Sequence, residues 1–341
     1  MGEIEVSELG TMKTIAKSKT EGKKKCLILI NDNAGKCRKC SVENVKKALG
    51  EYDFTAVHLP SKAKINFEEF DTFAVCGGDG TLQIIMQKIY NLDKTVYYFP
   101  CGTLNDKAGA EKYSHATLSP HPVTIGKVDE NVFTYVFASG AFTEIGYTAK
   151  QKDKQRFGVL AYVLKVLKAY EVNRIKCKIT CQVEDSLMKN EDNIKGKISR
   201  NTDSKSRRKS DKTEIDNLMT KEFQGEFNLI MFIKSPRCFG FHFNKLYDEQ
   251  DDGGHLVMIP SPKHDGLIGK VEMFFPFFKV FFLGLRKESE DGVIFKRIKS
   301  AMVSLPHNTT FCVDGERRDH IGDLNLSFEK TTCKLKIIDI I

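Results

Sequence analysis

Short apolar runs alternate with helical patterns through the first third of the chain. Buried strands are predicted where β-branched and aromatic residues cluster, and helices where apolar residues recur every three or four positions. The predicted strands are 26–30, 54–59, 70–77 and 95–102, and the predicted helices are 41–49 and 81–90. This alternation with short turns is typical of a mostly parallel sheet covered by helices. We therefore predict a Rossmann-like α/β domain over residues 26–122.

The pattern changes after residue 123, where strand-like runs dominate. Only 156–170 and 267–285 have helical spacing. Many strands with few helices favour an antiparallel β domain, a sandwich or flattened barrel, over 123–341. The predicted fold class is thus α/β plus β. A return of the last predicted strand to the sheet of the first domain is compatible with this prediction.

Two segments lack this apolar patterning. Residues 1–25 are a polar leader that we expect to be disordered, and 184–222 form a polar insertion in the second domain. Basic residues outnumber acidic ones by 53 to 45 over the chain, and 195–212 alone contain eight basic and two acidic residues. This loop is either a tether to an anionic membrane surface or an inert solvated loop.

Targeting and redox features are sparse. The longest apolar run, 271–285, contains Pro276 and Lys279 and is shorter than the roughly 20 residues that cross a bilayer. We predict core packing for it, with a lipid-contact surface as the alternative. The pair Cys37 and Cys40 lacks partners for a four-ligand zinc site, so free thiols are expected. These features predict a cytoplasmic protein without a membrane span.

The segment 77–81, Gly-Gly-Asp-Gly-Thr, joins a predicted buried strand directly to a helix. Its glycines allow a tight turn that brings backbone amides against an anion, and the helix N-terminus adds further donors. Asp79 would repel a bare phosphate, so it implies either an intervening divalent cation or a contact with a hydroxyl group. The alternative is a turn in which Asp79 is only a helix cap.

Two other predicted strands end in similar turns, at 31–36 and 100–106, which are rich in Asn, Gly, Asp and Thr. The carboxyl ends of parallel strands lie side by side at one edge of the sheet, where ligands bind. Three such turns together predict a polyanion site at this edge.

These motifs resemble the diacylglycerol kinase catalytic-domain family, specifically the soluble bacterial type of lipid kinase. Gly-Gly-Asp-Gly-Thr is followed by Pro-x-Gly-Thr-x-Asn-Asp at 100–106, by Asp-Asp-Gly at 251–253 and by Asp-Gly-Glu at 314–316. Asp32 stands where the family usually has proline, and Leu104 where many relatives have glycine. The resemblance covers about 24–341 apart from the insertion. The first motif alone is shared with NAD kinases.

The resemblance implies transfer of the ATP γ-phosphate to a lipid hydroxyl, with Mg²⁺ as cofactor. Backbone amides of Gly77, Gly78 and Gly80, together with Thr81, would hold the triphosphate, and Asp79 would act through Mg²⁺. The other residues that the resemblance places around the nucleotide are Asn31, Gly35, Gly102, Thr103 and Asn105.

Two further acidic residues acquire roles by resemblance. Glu316 would be the general base that accepts the proton of the lipid hydroxyl, and Asp252 would help to bind a second, structural Mg²⁺. From the residues alone, Asp-Gly at 314–315 is equally typical of a hairpin turn, and Asp252 of a turn.

The motifs favour diacylglycerol as the acceptor because Thr81 and the Gly-Thr-x-Asn-Asp turn differ from the corresponding sphingosine and ceramide kinase motifs. Alternatives are a kinase for ceramide, sphingosine or undecaprenol, an NAD kinase-like enzyme, and a catalytically silent binding relative. Expected partners are ATP, a diacylglycerol-like lipid and an anionic membrane surface, with a homodimer by analogy. No motif supports nucleic-acid binding. The expected location is cytoplasmic and peripheral to the membrane.

Overall fold

The structure is a computed structural model. It describes residues 22–35, 40–61, 64–102, 104–111, 119–141, 172–184, 218–238, 240–306, 309–320 and 322–339. Residues 1–21 of the predicted leader, the predicted helix at 156–170 and the basic loop at 195–212 lie outside these residues. The end of the leader was placed one residue too far, because β1 begins at Lys25.

The first part of the chain contains parallel strands separated by helices, as predicted. Its strands are β1 (Lys25–Asn31), β2 (Asp53–Leu59), β3 (Thr72–Gly77) and β4 (Thr95–Pro100), in the spatial order β4-β3-β1-β2. Its helices are α1 (Val42–Leu49), α2 (Asp79–Ile89) and α3 (Asp106–Glu111), with a 3₁₀ turn at Phe67–Glu69. Every residue of β3 is buried, since helices and loops cover both faces of a central parallel strand.

The rest of the described chain is mainly antiparallel. Its strands are β5 (His121–Val128), β6 (Asn131–Phe133), β7 (Val136–Gly140), β8 (Ile175–Glu184), β9 (Leu218–Ile233), β10 (Arg237–Cys238), β11 (Phe241–His242), β12 (Gly254–Pro260), β13 (Ile294–Ser304), β14 (Thr309–Val313), β15 (Glu316–His320) and β16 (Leu324–Ile337). Helix α4 (Gly266–Phe278) continues into a π-helical turn at Lys279–Leu283. β8 and β12 each pair with both β9 and β13, which closes these four strands into a flattened barrel.

Strand β16 connects the parallel and antiparallel parts. Its C-terminal half pairs in parallel with β4, and its N-terminal half pairs antiparallel with β13. β5 pairs antiparallel along both halves of β16. Fourteen of the described strands therefore form one continuous sheet, and β10 and β11 form a separate two-stranded sheet.

Helix α2 packs across the boundary between the two parts. The Gln83 side chain donates to the carbonyl of Val132 in β6 at 2.8 Å, and Gln87 both donates to the Glu130 carbonyl and accepts from the Val132 amide. These contacts hold the helix that follows the glycine turn against the antiparallel strands.

The barrel interior is filled by aromatic and aliphatic side chains. Phe137 and Phe311 stack with their ring centroids 4.4 Å apart, and Phe133 meets Phe328 edge to face. Since β7 and β14 contribute to this core, their packing fixes the position of the hairpin that joins β14 to β15.

The prediction of core packing for 271–285 is wrong for one face of α4. Met273 and Phe277 are buried, but 54% of Phe274 and 75% of Phe275 are exposed. Apolar residues surround this helix on all sides, so periodicity cannot reveal which face the fold covers. In the described part of the chain, no helix is long and apolar enough to cross a membrane.

Candidate active site

The turn after β3 is too crowded for side chains. A Cβ atom on Gly77 would lie 2.5 Å from the Thr81 side chain, so only glycine fits there. The Asn31 amide nitrogen at the end of β1 donates to the Thr81 hydroxyl at 2.8 Å. The structure thus brings Asn31 and the turn at 77–81 together at the carboxyl edge of the parallel strands.

The turn after β4 lies directly against the first turn. A Cβ atom on Gly102 would approach the Cα of Gly78 to 2.6 Å. Asn105 adopts a left-handed backbone with a φ of 52°, and its side chain closes the turn by accepting from the Gly102 amide at 2.8 Å and donating to the Gly102 carbonyl at 3.0 Å. Asn105 therefore shapes this turn. Thr103 lies outside the described residues.

Asp79 holds the second turn from within the first. Its two carboxylate oxygens accept the backbone amides of Asp106 at 2.7 Å and Lys107 at 3.1 Å, so it caps helix α3. Burial raises the pKa of Asp79, and the two amides oppose that rise. Asp79 is therefore a helix cap, as in the alternative considered from the sequence. The helix that it caps is α3, however, and not α2, which begins at Asp79.

The carboxylate of Asp79 retains one further lone pair on each oxygen. Mg²⁺ in kinases is commonly held by one or two carboxylates together with phosphate oxygens and water. Asp79 therefore fits a magnesium ion that arrives with a nucleotide. Among the described residues, no group of three His, Cys, Asp or Glu side chains could hold a metal ion.

The Asp-Gly-Glu motif forms a tight hairpin between β14 and β15. Asp314 and Gly315 have φ angles of 48° and 95°, which is the type I′ geometry that matches strand twist. The buried Asp314 carboxylate accepts the amides of Thr134, Tyr135 and Val136, along with the Thr134 hydroxyl. Burial raises the pKa of Asp314 to about 6.

This hairpin places Glu316 over the glycine turn. Glu316 Oε1 lies 3.4 Å from the position that a Cβ on Gly80 would occupy, and the carbonyl oxygen of Asp314 lies 3.9 Å from it. Glu316 itself is exposed. An accessible carboxylate from the antiparallel part therefore faces the turn at 77–81.

The turn after β1 lies at the same edge. Asn31 accepts the Asn33 amide through its side chain at 3.0 Å and the Ala34 amide through its carbonyl at 3.0 Å. Gly35 is exposed at the end of this turn. The Asp32 carboxylate lies 2.8 Å from Nδ1 of His58 at the end of β2, so this unusual acidic residue faces a histidine.

Asp252 does not share this edge, and its surroundings do not fit a metal. Its carboxylate pairs with Lys299 and lies 3.6 Å from the Arg297 guanidinium. Lys299 holds the pKa of Asp252 below its usual range. A second Mg²⁺ bound by Asp252 would have to compete with two cationic side chains, so these surroundings do not favour the predicted metal site, which stays a prediction.

The residues next to Asp252 also contact basic side chains. Arg297 pairs with the Asp251 carboxylate, and the buried Lys234 ammonium donates to the carbonyls of Asp251 and Asp248. Burial lowers the pKa of Lys234 to about 8. We call residues 251–253 with these basic partners the acidic corner.

Sequence reasoning missed Asp106 as a site residue. It is 1% exposed, and its carboxylate accepts the Gly240 amide at 2.9 Å and lies 3.8 Å from Nε of Arg237. Asp106 thus connects the second turn to β10 and β11. Its position as the last residue of the Pro-x-Gly-Thr-x-Asn-Asp motif was the available signal.

Comparisons with known proteins agree on one family. Residues 25–127 match the family model of the diacylglycerol kinase catalytic domain. The diacylglycerol kinase of Bacillus subtilis (strain 168) is 32% identical over 122 residues, which are 32% of this chain and 40% of the relative. That of Staphylococcus carnosus (strain TM300) is 31% identical over 109 residues, 29% of this chain and 36% of the relative. The matched segments thus span less than half of either relative.

Structural likeness extends much further along the chain. The crystal structure of a diacylglycerol kinase from Bacillus anthracis str. Sterne has a TM-score of 0.56 and covers 93% of this chain and 97% of its own. At 15% sequence identity, this likeness establishes the fold. It confirms the predicted combination of parallel and antiparallel parts.

Proposed function

We propose that the protein is an ATP-dependent lipid kinase, on the premise that residues 25–127 match the family model of the diacylglycerol kinase catalytic domain. It transfers the γ-phosphate of ATP to the hydroxyl group of diacylglycerol and produces phosphatidic acid. The observation that carries this proposal is the position of Glu316 opposite Gly80, because it combines a phosphate-binding turn with a proton acceptor.

The nucleotide end of the reaction depends on the two glycine turns. In our proposal, the backbone amides at 77–80 bind the triphosphate, and the absence of side chains at Gly77, Gly78 and Gly102 lets the two turns that line this site pack closely together. Thr81 and Asn31, already joined by a hydrogen bond, line the same edge. Bound Mg²⁺ would neutralise charge on the phosphates, and Asp79 is the residue that would hold it.

The acceptor end depends on Glu316. A lipid hydroxyl becomes a good nucleophile only if its proton has an acceptor, and Glu316 is an exposed carboxylate beside the phosphate turn. In our proposal it accepts the proton as the oxygen attacks the γ-phosphorus. Asp314, fixed by four hydrogen bonds, positions the hairpin that carries this base.

Diacylglycerol is proposed as the acceptor because Thr81 and the turn at 100–106 carry the family pattern. The B. subtilis and S. carnosus relatives are named as diacylglycerol kinases. Since this acceptor resides in a bilayer, we propose that the protein acts at the cytoplasmic surface of a membrane.

A radiolabelled ATP assay against diacylglycerol, ceramide, sphingosine, undecaprenol and NAD tests the proposal. We expect magnesium-dependent labelling of diacylglycerol well above that of the other acceptors. The matched background is ATP hydrolysis without an acceptor. Preferential labelling of NAD would identify an NAD kinase-like enzyme, and no labelled product with any acceptor would support a silent binding protein.

A further inference from the structure

Helix α4 and its π-helical continuation carry a row of large apolar side chains on the outside of the protein. Exposure reaches 78% at Leu267, 64% at Val271 and 75% at Phe275. The rings of Phe274, Phe278 and Phe282 stack along the same side, with centroids 5.8 and 5.4 Å apart. We call these six exposed residues the α4 face.

The inner side of the helix anchors it firmly. Met273, Phe277 and Val280 are buried in one apolar cluster with Val257 of β12 and Phe295 of β13. The helix therefore has apolar residues on both sides, and the described part of the chain buries only one of them. Contiguous apolar patches on a protein surface mark sites of interaction with another molecule or a membrane.

The charges around the α4 face indicate which partner covers it. Residues 263–287 contain five basic and two acidic residues. Both acidic side chains already have basic partners, since Glu272 lies 2.5 Å from His264 and Asp265 lies 2.9 Å from Arg174.

Four of the five basic residues of this rim are exposed, and so is Asp265, which pairs with Arg174. Lys263, Lys279, Arg286 and Lys287 are exposed. An aromatic surface rimmed by lysine and arginine suits the interface of an anionic bilayer, where rings enter the headgroup region and cations meet lipid phosphates. A symmetric contact with a second copy would instead bring the two basic rims together.

The α4 face is connected to the candidate active site through a short series of contacts. Phe282 packs on Phe241 of β11 with ring centroids 5.3 Å apart. The neighbouring Gly240 amide donates to Asp106, and the Asp106 amide donates to Asp79. A membrane held by this face would therefore lie beside the element that Asp79 anchors.

We propose that the α4 face docks the protein on an anionic lipid bilayer, with Phe274, Phe275 and Phe278 in the headgroup region. The basic rim strengthens this contact. The inference deepens the proposed function, on which its meaning for catalysis rests, but docking itself is measurable without turnover.

Co-sedimentation of the full chain with vesicles of phosphatidylcholine, with and without phosphatidylserine, tests the proposal. We expect Phe275→Glu to weaken binding to the mixed vesicles by roughly tenfold or more, the scale of losing one buried phenylalanine. Lys279→Gln should weaken it by about fivefold, and only when phosphatidylserine is present. Met302→Glu on β13 is the matched control, because Met302 is likewise a large exposed apolar residue, with 51% of its surface exposed, but lies off this face.

Further readouts separate the outcomes. Thermal unfolding of Phe275→Glu should match that of the unchanged protein, and its turnover of a water-soluble short-chain diacylglycerol should persist, so failure of docking is distinguishable from failure of the proposed kinase. Unchanged vesicle binding by Phe275→Glu would overturn the proposal, as would binding that disappears only on deletion of 195–212. Conversion from dimer to monomer without a change in vesicle binding would identify a self-association surface instead.

Discussion

Two regions of the molecule hold aspartates that precede glycine, and their surroundings shift the pKa of these carboxyls in opposite directions. At the candidate active site, Asp79 and Asp314 accept backbone amides, and Asp314 also accepts a hydroxyl. Burial raises the pKa of both carboxyls, and for Asp79 this effect exceeds the lowering by the charges of Arg237 and Lys107. In the acidic corner, Asp252 pairs with Lys299, which lowers its pKa.

The difference shows which carboxylates remain available to a cation. An amide dipole orients a carboxylate without cancelling its charge, whereas a lysine or arginine neutralises it. We therefore expect a magnesium ion to bind more favourably near Asp79 than near Asp252. Similar Asp-Gly sequences acquire different chemistry because different elements pack against them.

The sharpest test of the active-site region is Glu316→Gln. Removal of the proposed base should lower the turnover of diacylglycerol by about 100- to 10,000-fold, with nucleotide affinity unchanged. Steady-state kinetics and ATP titration measure the two quantities. Asp319→Asn, another exposed carboxylate of β15, is the control and should retain full turnover. If Glu316→Gln kept full turnover, Glu316 would not be the general base.

A smaller effect is expected where the two glycine turns touch. Gly102→Ala would force a methyl group to within 2.6 Å of the Gly78 Cα, so the turns must separate. We expect a loss of about 1–3 kcal/mol in the free energy of unfolding and weaker ATP binding. Chemical denaturation and ATP titration measure both. Gly225→Ala is the control because its nearest neighbour would lie 3.5 Å away. Equal behaviour of the two variants would contradict the contact between the turns.

The smallest effect should come from the acidic corner. Asp252→Asn removes an ion pair whose carboxylate is 58% exposed, so the free energy of unfolding should change by at most about 1 kcal/mol. Because basic side chains already neutralise this corner, EDTA should leave the thermal midpoint of the nucleotide-free protein unchanged. Scanning calorimetry measures both. A fall in the midpoint with EDTA that Asp252→Asn abolishes would restore the structural magnesium that we argue against.

Much of the fold was predictable from residue patterns. The continuous apolar character of β3 and the alternation of strands and helices around it indicate a parallel sheet, and this prediction is confirmed by the structure. The Asp-Gly pair at 314–315 indicates a hairpin, which is also observed. Local backbone preferences and periodicity encode these features directly.

The limits of prediction appear at particular side chains. Asp106 was overlooked because its role depends on Gly240 of a distant turn. The metal role of Asp252 was predicted from the family resemblance alone, and its partners Lys299 and Arg297 could not be predicted because they are remote in sequence. Helix α4 was expected to be core because its residues are apolar. Residue types alone do not show which face of an apolar helix the neighbouring elements leave exposed.

The amino-acid sequence by itself determined where strands end in glycine turns, because glycines interrupt the apolar strand pattern and permit tight turns whatever the tertiary structure is. Only the tertiary structure decided that Glu316 faces Gly80, that Asp79 caps α3 and that one side of α4 meets solvent. The first kind of information lies in the backbone freedom of single residues. The second arises from long-range strand pairing and packing, which bring distant segments together and set the electrostatic surroundings of each carboxylate.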